Sequence, residues 1–359
     1  SVIDLAKQYH NANNKINVET VTSTDRPDLV KKYGIEEGSS GVIVESGEKS
    51  KILSQADFYT YDPATYEQID ITEEKLTNAI LYVVADKVPT IYFLEGYSDF
   101  SADQNMTYLT TYLANEVTEY DTVNLLTTGK VPDNCDTLVI TSPTKDFDDI
   151  ATKAITDYIN DGGNLLWFNM LVAEKQDLPN VNKILALYGI KPFEVGLICE
   201  TDASRMMTDM PSVIIPQVNY STITKNVPAV LMVNATKINF VSDEELEKLN
   251  VTKTDLMQTT EGAYFRTDFT ITSDAKQKGE EEGSFIVGAE VDKTVGEKTS
   301  KLLIYGENVF ISDYSLTQSS QYPLIAYSYN KDLAMDSIAY LVDREEDITI
   351  RKDTDTTNY

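Results

Sequence analysis

Thr137-Leu138-Val139-Ile140-Thr141 and Asp161-Gly162-Gly163-Asn164-Leu165-Leu166-Trp167-Phe168 are the stretches whose reading decides the fold. The first, and residues 165–168 of the second, are short apolar runs, as expected of strands covered on both faces. Between them, residues 147–160 place Ile150, Ala154, Ile155, Tyr158 and Ile159 on one side of a helix. Asp161-Gly162-Gly163 ends that helix, and the next strand begins at once. Strand, helix and strand in this order make a crossover unit with parallel strands.

The same alternation continues on both sides. Upstream stand the apolar run Thr90–Leu94 (TIYFL), a helix over 103–115 and a strand over 118–126. Downstream, a helix over 181–188 ends at Gly189. Near the end, a strand at 301–305 leads into Gly306-Glu307-Asn308 and a strand-like 309–312. A helix over 332–342 follows, with Leu333, Ile338 and Leu341 turned inward. These elements predict an α/β domain over 88–194 plus 300–350, an open, mostly parallel, doubly wound sheet. Residues 195–299 instead show short β-like runs at 212–215, 230–233, 238–241, 264–272 and 284–291. Acidic 276–283 and the stretch 292–300 are expected as mobile loops. That region is expected as a β-rich insertion or lobe.

Residues 1–87 predict a smaller α/β unit. A helix over 2–12 precedes a strand over 16–21, where Ile16 and Val18 alternate with Asn17 and Glu19. Asp25-Arg26-Pro27 opens a second helix and Gly34 closes it. Strands at 41–45 and 51–54 follow, giving a thioredoxin-like order without its CxxC motif. A helix over 72–86 starts at Asp70 and Glu73, spaced as a capping box, and carries Leu76, Ala79, Ile80 and Val83 as its stripe.

Length and charge bound the function. At 359 residues the chain is long enough for two or three domains. Its 30 Lys and Arg against 58 Asp and Glu give a net charge of −28. A field of that sign repels phosphate backbones and anionic headgroups, which argues against nucleic acid as a partner. The most apolar window, 164–173, is too short to span a bilayer. The chain opens inside a helical pattern without Met, as a fragment whose flanks hold a membrane anchor would. Cys135 and Cys199 lack metal spacing, and either pair in an oxidising compartment or stand as unrelated thiols. Four N-x-S/T sequons begin at Asn105, Asn219, Asn234 and Asn250.

His10 is the one histidine, and it lies outside the open-sheet domain. A Ser-His or Cys-His centre needs an imidazole beside its nucleophile, so none is expected. No Gly-rich phosphate loop and no nucleophile elbow occurs. Neither a cofactor nor a metal site is predicted. Asp146, Asp148 and Asp149 crowd one helix start, a cation site or simple capping. Glu95, Asp99, Asp202 and Asp209 could meet at the sheet's C-terminal edge as a carboxylate pair for glycan hydrolysis. Topology offers the other candidates, since ligands bind beyond the carboxyl ends of such strands. The positions there are Glu95, Tyr97, Asp99, Ser142, Thr144, Glu307 and Asn308.

Taken in order, several stretches resemble a known family. They are Tyr33-Gly34-Ile35, residues 42–45 with Lys49-Ser50-Lys51, Asp57-Phe58-Tyr59, 76–83, 89–96 (PTIYFLEG), 136–140 with 157–166, 300–306 and 336–347. Their sequence of occurrence is similar to the extracytoplasmic part of GldG-like ABC-transport auxiliary proteins, of gliding-motility and uncharacterised transport systems. The resemblance implies membrane helices flanking the chain and a sheet like the class I glutamine-amidotransferase fold, whose catalytic Cys and His have no counterpart here. It implies permease or ATPase subunits as partners on the outer face of the cell membrane. Family members often carry Gly-His where this chain has Gly96-Tyr97, so no role of that His is carried over. The expectation is a non-catalytic binding or scaffolding module. The alternatives are a sugar or peptide receptor with a cleft beside the 195–299 lobe, and a carboxylate-dependent glycan hydrolase.

Overall fold

The computed structural model describes residues 1–35, 38–61, 67–171, 173–207, 209–317 and 322–344. Two compact units emerge. The first runs over Ser1–Val88; the second takes in Pro89–Ala114 and continues from Thr118.

In the first unit, α1 (Val2–Ala12) begins at a capping box between Ser1 and Asp4, which satisfies its leading N–H groups. Helix α2 (Pro27–Tyr33) has Pro27 in its first turn and closes at Gly34, whose φ of 61° suits glycine. Strands β1 (Gly41–Ser46) and β2 (Lys49–Ser54) form an antiparallel hairpin. A second pair, β3 (Tyr59–Tyr61) and β4 (Gln68–Asp70), precedes α3 (Thr72–Val84). Leu53, Phe58, Leu76 and Ala79 form the core, with Val42, Val44, Leu5 and Tyr9 against it. At the start of α3 the expected capping box is not made: Ile71 holds the cap position, and Asp70 accepts the Thr72 N–H at 2.9 Å. The strand expected over 16–21 also does not form. Alternation alone supplies no ladder partner, and among the described residues β1 and β2 pair only with each other.

The second unit opens with β5 (Thr90–Leu94), α4 (Ala102–Asn105), α5 (Thr107–Asn115), β6 (Glu119–Val123) and α6 (Leu125–Thr128). Then come β7 (Thr137–Thr141), α7 (Asp149–Asn160), β8 (Asn164–Phe168) and α8 (Pro179–Ala186). The single helix expected over 103–115 breaks at Met106. A residue distant in sequence restarts it, because the Asp313 carboxylate accepts the N–H of Thr107 at 2.7 Å and of Tyr108 at 3.1 Å. Next follow β9 (Leu197–Cys199), β10 (Met206–Met207), β11 (Met210–Ile214), β12 (Gln217–Val218), β13 (Met232–Val233) and α9 (Asp243–Lys248). The chain continues through β14 (Val251–Gln258), β15 (Tyr264–Arg266), β16 (Glu281–Glu282), β17 (Ile286–Val295), β18 (Lys298–Tyr305) and α10 (Asn330–Leu341).

Eight strands form one sheet in the order β12-β14-β17-β18-β8-β7-β5-β6. The run from β18 to β6 is parallel, while β12, β14 and β17 join antiparallel. Three strands from residues 195–299 thus extend the main sheet. The runs expected at 238–241 and 309–312 are not strands. The first makes one bridge, Ile190 to Phe240, and the second is a 3-10 turn, Val309–Ile311.

The period of two divides the strand residues between two cores. Ile91, Phe93, Val139, Leu166, Phe168, Leu303 and Tyr305 face one side, packed with α5 and α10 residues such as Leu109 and Leu333. Leu138, Ile140, Leu165, Trp167, Leu302 and Ile304 face the other, under Ile155 and Ile159 of α7 and Ile184 of α8. Helices on both faces explain why these runs are apolar throughout. Ile150, expected on the buried side of α7, is 45% exposed. Ala151, one position on, is fully buried and takes its place in the first turn. Both cysteines are free thiols: Cys135 packs against the α7 core and Cys199 is buried.

Candidate functional site

From β5 the chain passes to β6 on one side, then returns to β7 on the other. The switch point of the sheet therefore lies between β5 and β7, flanked by the loops 95–101 and 142–148. Tyr97 sits there and is only 8% exposed. Gly96, at φ 96°, turns the backbone so that this side chain points inward. The ring meets Phe147 edge-on at 5.0 Å between centroids, and Phe147 meets Trp167 at 6.3 Å. The Tyr97 hydroxyl donates to the Asp148 carboxylate. Its carbonyl accepts the N–H of Thr144 at 2.8 Å and of Lys145 at 3.1 Å. Thr141 Oγ1 adds a bond to the Phe100 carbonyl at 2.9 Å. The two loops are thus clasped, and the crevice between them is filled by Tyr97.

The electrostatics follow from this geometry. The Tyr97 hydrogen bond first, then the Ala151 N–H, hold the Asp148 carboxyl below its ordinary value. Burial, then Asp148, push the Tyr97 hydroxyl upward. Asp148 is also the N-cap of α7, accepting the Ala151 N–H at 2.9 Å. Asp146 caps a different helix: it accepts the N–H of Asn180 at 2.9 Å and of Val181 at 3.0 Å, at the start of α8. The acidic run is a double capping device. Sequence reading missed the second half because the partner lies 34 residues away.

Ser142 is fully buried at φ 43°, with its N–H on the Phe168 carbonyl at 2.7 Å and its hydroxyl on the same oxygen at 3.3 Å. That side chain braces the β7–β8 edge and presents no free hydroxyl. Thr144 Oγ1 and Trp167 Nε1 are buried with no hydrogen-bond partner among the described residues. Glu95 and Asp99 point outward; Asp99 lies 3.8 Å from Lys145, with its side chain 86% exposed.

Glu307 and Asn308 are not part of this cluster, since β8 separates β18 from β7. Both are buried. Glu307 accepts the N–H groups of Val309 and Phe310 at 2.9 Å each, which bends 309–311 into its 3-10 turn. Burial pushes its carboxyl up to about 8, against the pull of the Phe310, Val233 and Val309 N–H groups. The carboxylates expected to meet across the edge do not converge. Asp202 follows β9, which belongs to a separate three-stranded sheet, and caps the turn at Ser204 with a 2.8 Å bond. Asp209 lies in the turn before β11, at φ 56°. The stretch 276–283, expected to be mobile, is tied by Glu280 to buried Arg266 at 2.8 Å. His10 lies in α1, exposed, with Nδ1 2.6 Å from the Ile16 carbonyl.

Among the described residues no group of three or more His, Cys, Asp or Glu is placed to hold a metal ion. None of their helices is long and apolar enough to cross a membrane.

The backbone is similar to that of known structures. The mmIFT52 N-terminal domain aligns at a TM-score of 0.51 with 15% identity, over 70% of this chain and 97% of that one. A ThuA-like protein from Bacteroides uniformis aligns at 0.43 with 11% identity, over 72% and 93%. At these identities the first likeness concerns the fold alone. No curated protein matches the chain. A family model described as ABC-type uncharacterized transport system matches residues 88–341, more than half of the sequence, and the chain belongs to that family of ABC-transport auxiliary proteins.

Proposed function

We propose that this chain is a non-catalytic binding and scaffolding module on the outer face of the cell membrane. It serves a membrane-anchored component of an ABC transport system and contacts the permease or ATPase subunits. The observation that carries the reading is the filled switch point. Tyr97 occupies the position where an α/β sheet of this kind takes a small ligand, and loop-to-loop hydrogen bonds close over it. The candidate polar groups nearby serve as caps and braces. A surface at −28 disfavours nucleic acid and suits a basic protein face.

The test is affinity purification of the tagged full-length protein from its native membrane in mild detergent. Stoichiometric recovery of the ATPase or permease is the expected result. Recovery of the protein alone, with the ATPase shown to be expressed, would overturn the reading. A free-standing solute receptor would then be tested by the rise in melting temperature with sugars and peptides.

A further inference from the structure

Residues 16–21 carry the period of a strand but have no ladder. Backbone groups of Asn17, Val18, Glu19, Thr20 and Val21 make no hydrogen bond to the described residues. Val18 and Val21 are 38% and 42% exposed. In the same unit, β1 and β2 form a sheet of two strands, so each keeps an outer edge. No backbone-to-backbone bond beyond their own ladder is made by either strand among the described residues. An isolated pair of strands is a marginal structure, and an open edge is a template for a further strand.

We infer that this chain self-associates by strand exchange, residues 16–21 of one copy adding to the β2 edge of a second copy and the reverse. Side-chain parity favours that edge. On β2, Lys49, Lys51 and Leu53 share one face, and Ser50 and Ile52 the other. In the added strand, Val18 and Glu19 point to opposite faces. The pairing that sets Val18 beside Ile52, which is 46% exposed, sets Glu19 beside Lys49 and Lys51. Apolar meets apolar and acid meets base in the same register. Residues 49–54 hold two lysines and no acid, in a chain of net charge −28. Lys49 donates to the Ala85 carbonyl, so Lys51 is the cation that Glu19 meets, in exchange for its exposed 3.6 Å contact with Arg26 of its own copy. Donor segment and acceptor edge lie on the same chain, as a two-fold, self-complementary contact requires.

The experiment is sedimentation of the whole chain over a range of concentrations, with hydrogen exchange read at residues 17–21. A dimer is expected, with these amides exchanging slowly when concentrated and fast when dilute. The variants Val18→Pro and Glu19→Pro remove neighbouring N–H groups that point to opposite sides of a strand. At least one of them should weaken the dimer about tenfold or more, which for an extra strand is a modest demand. Neither N–H is bonded to the described residues of its own copy, so melting of the dilute protein should stay unchanged. Glu19→Lys and Lys51→Glu should each weaken association, and the double variant should restore it. A monomer at every concentration would overturn the inference. So would a dimer indifferent to both prolines, or amides protected even at high dilution, which would mean pairing within one copy.

Discussion

The Glu307 carboxylate accepts the Phe310 N–H at 2.9 Å while being 1% exposed, directly beyond the strand that couples the parallel and antiparallel parts of the sheet. Its fixed partners are backbone N–H donors, so it acts as an internal cap rather than as a base waiting for a substrate.

This placement predicts a pH dependence. The folded carboxyl is raised from 4.5 to about 8, so across that window the folded state holds a proton that the unfolded chain releases. Stability contributed by the protonated group is fully present below the lower value and is lost as pH rises through the upper one. Urea unfolding at a series of pH values should show this decline in the wild type and not in Glu307→Gln. The amide replaces one acceptor with a donor facing a backbone N–H, which should cost about 1–3 kcal/mol at acid pH. An identical pH slope in both proteins would refute the assignment.

Tyr97 offers a graded test of the filled crevice. Tyr97→Phe keeps the ring against Phe147 and loses the bond to Asp148, at a cost of about 0.5–1.5 kcal/mol. Tyr97→Ala empties the crevice and should cost about 3–5 kcal/mol, as for other buried aromatics. The Asp148 carboxyl is held low, so its contribution is present above the unfolded value and fades as pH falls. Tyr97→Phe should therefore flatten the acid limb of the stability curve. If Tyr97→Ala leaves the denaturation midpoint unchanged, Tyr97 is not a structural plug.

Much of this arrangement is legible in the sequence. Apolar runs flanked by Gly-Gly and by a helical stripe locate β7, α7 and β8, because burial on both faces leaves an unbroken apolar signature. The loops after β5 and β7 follow from topology, and the structure does clasp them together. What escaped was decided at long range. Asp313 restarts a helix roughly two hundred residues earlier in the chain, and Asp146 caps not the helix that follows at once but the next one, 34 residues on. Topology names Glu307 only as a loop position at the carboxyl end of a strand. Nothing local says that backbone N–H groups would surround it, since burial depends on how 3-10 turns fold over the strand end. The alternation at 16–21 is a genuine strand signal, but a strand needs a neighbour, and sequence period cannot name one.

Asn330, at the start of α10, is expected to be more important than its polar character suggests. It is fully buried, with Oδ1 accepting the Leu231 N–H at 2.9 Å. Its Nδ2 donates to the carbonyls of Leu231 at 3.0 Å and Leu324 at 2.9 Å. The side chain thereby substitutes for a missing strand neighbour. Asn330→Ala takes the side-chain partner from the N–H and C=O of Leu231, while the Leu324 carbonyl keeps the Tyr327 N–H at 3.0 Å, and should cost about 2 kcal/mol. Asn330→Asp loses both donors and buries a charge, so it should be worse. Chemical denaturation of both variants checks the order; equal stability of Asn330→Ala and wild type would show that water reaches the site.

Glu95 and Asp99 separate scaffolding from catalysis. They stand at the edge where a carboxylate-dependent hydrolase would place its acids, yet both side chains are exposed, and Asp99 meets only Lys145, at 3.8 Å, among the ion pairs of the described residues. A glycosidase pair flanks the scissile bond in a shaped cleft, whereas these two side chains lie open to solvent. The double variant Glu95→Gln, Asp99→Asn should therefore fold with stability within about 0.5 kcal/mol of wild type, as surface changes do. It should also support transport in cells lacking the native protein as well as the wild type does. Glycan hydrolysis by the wild type that disappears in the double variant, with melting unchanged, would make the edge a catalytic centre and overturn the scaffolding assignment.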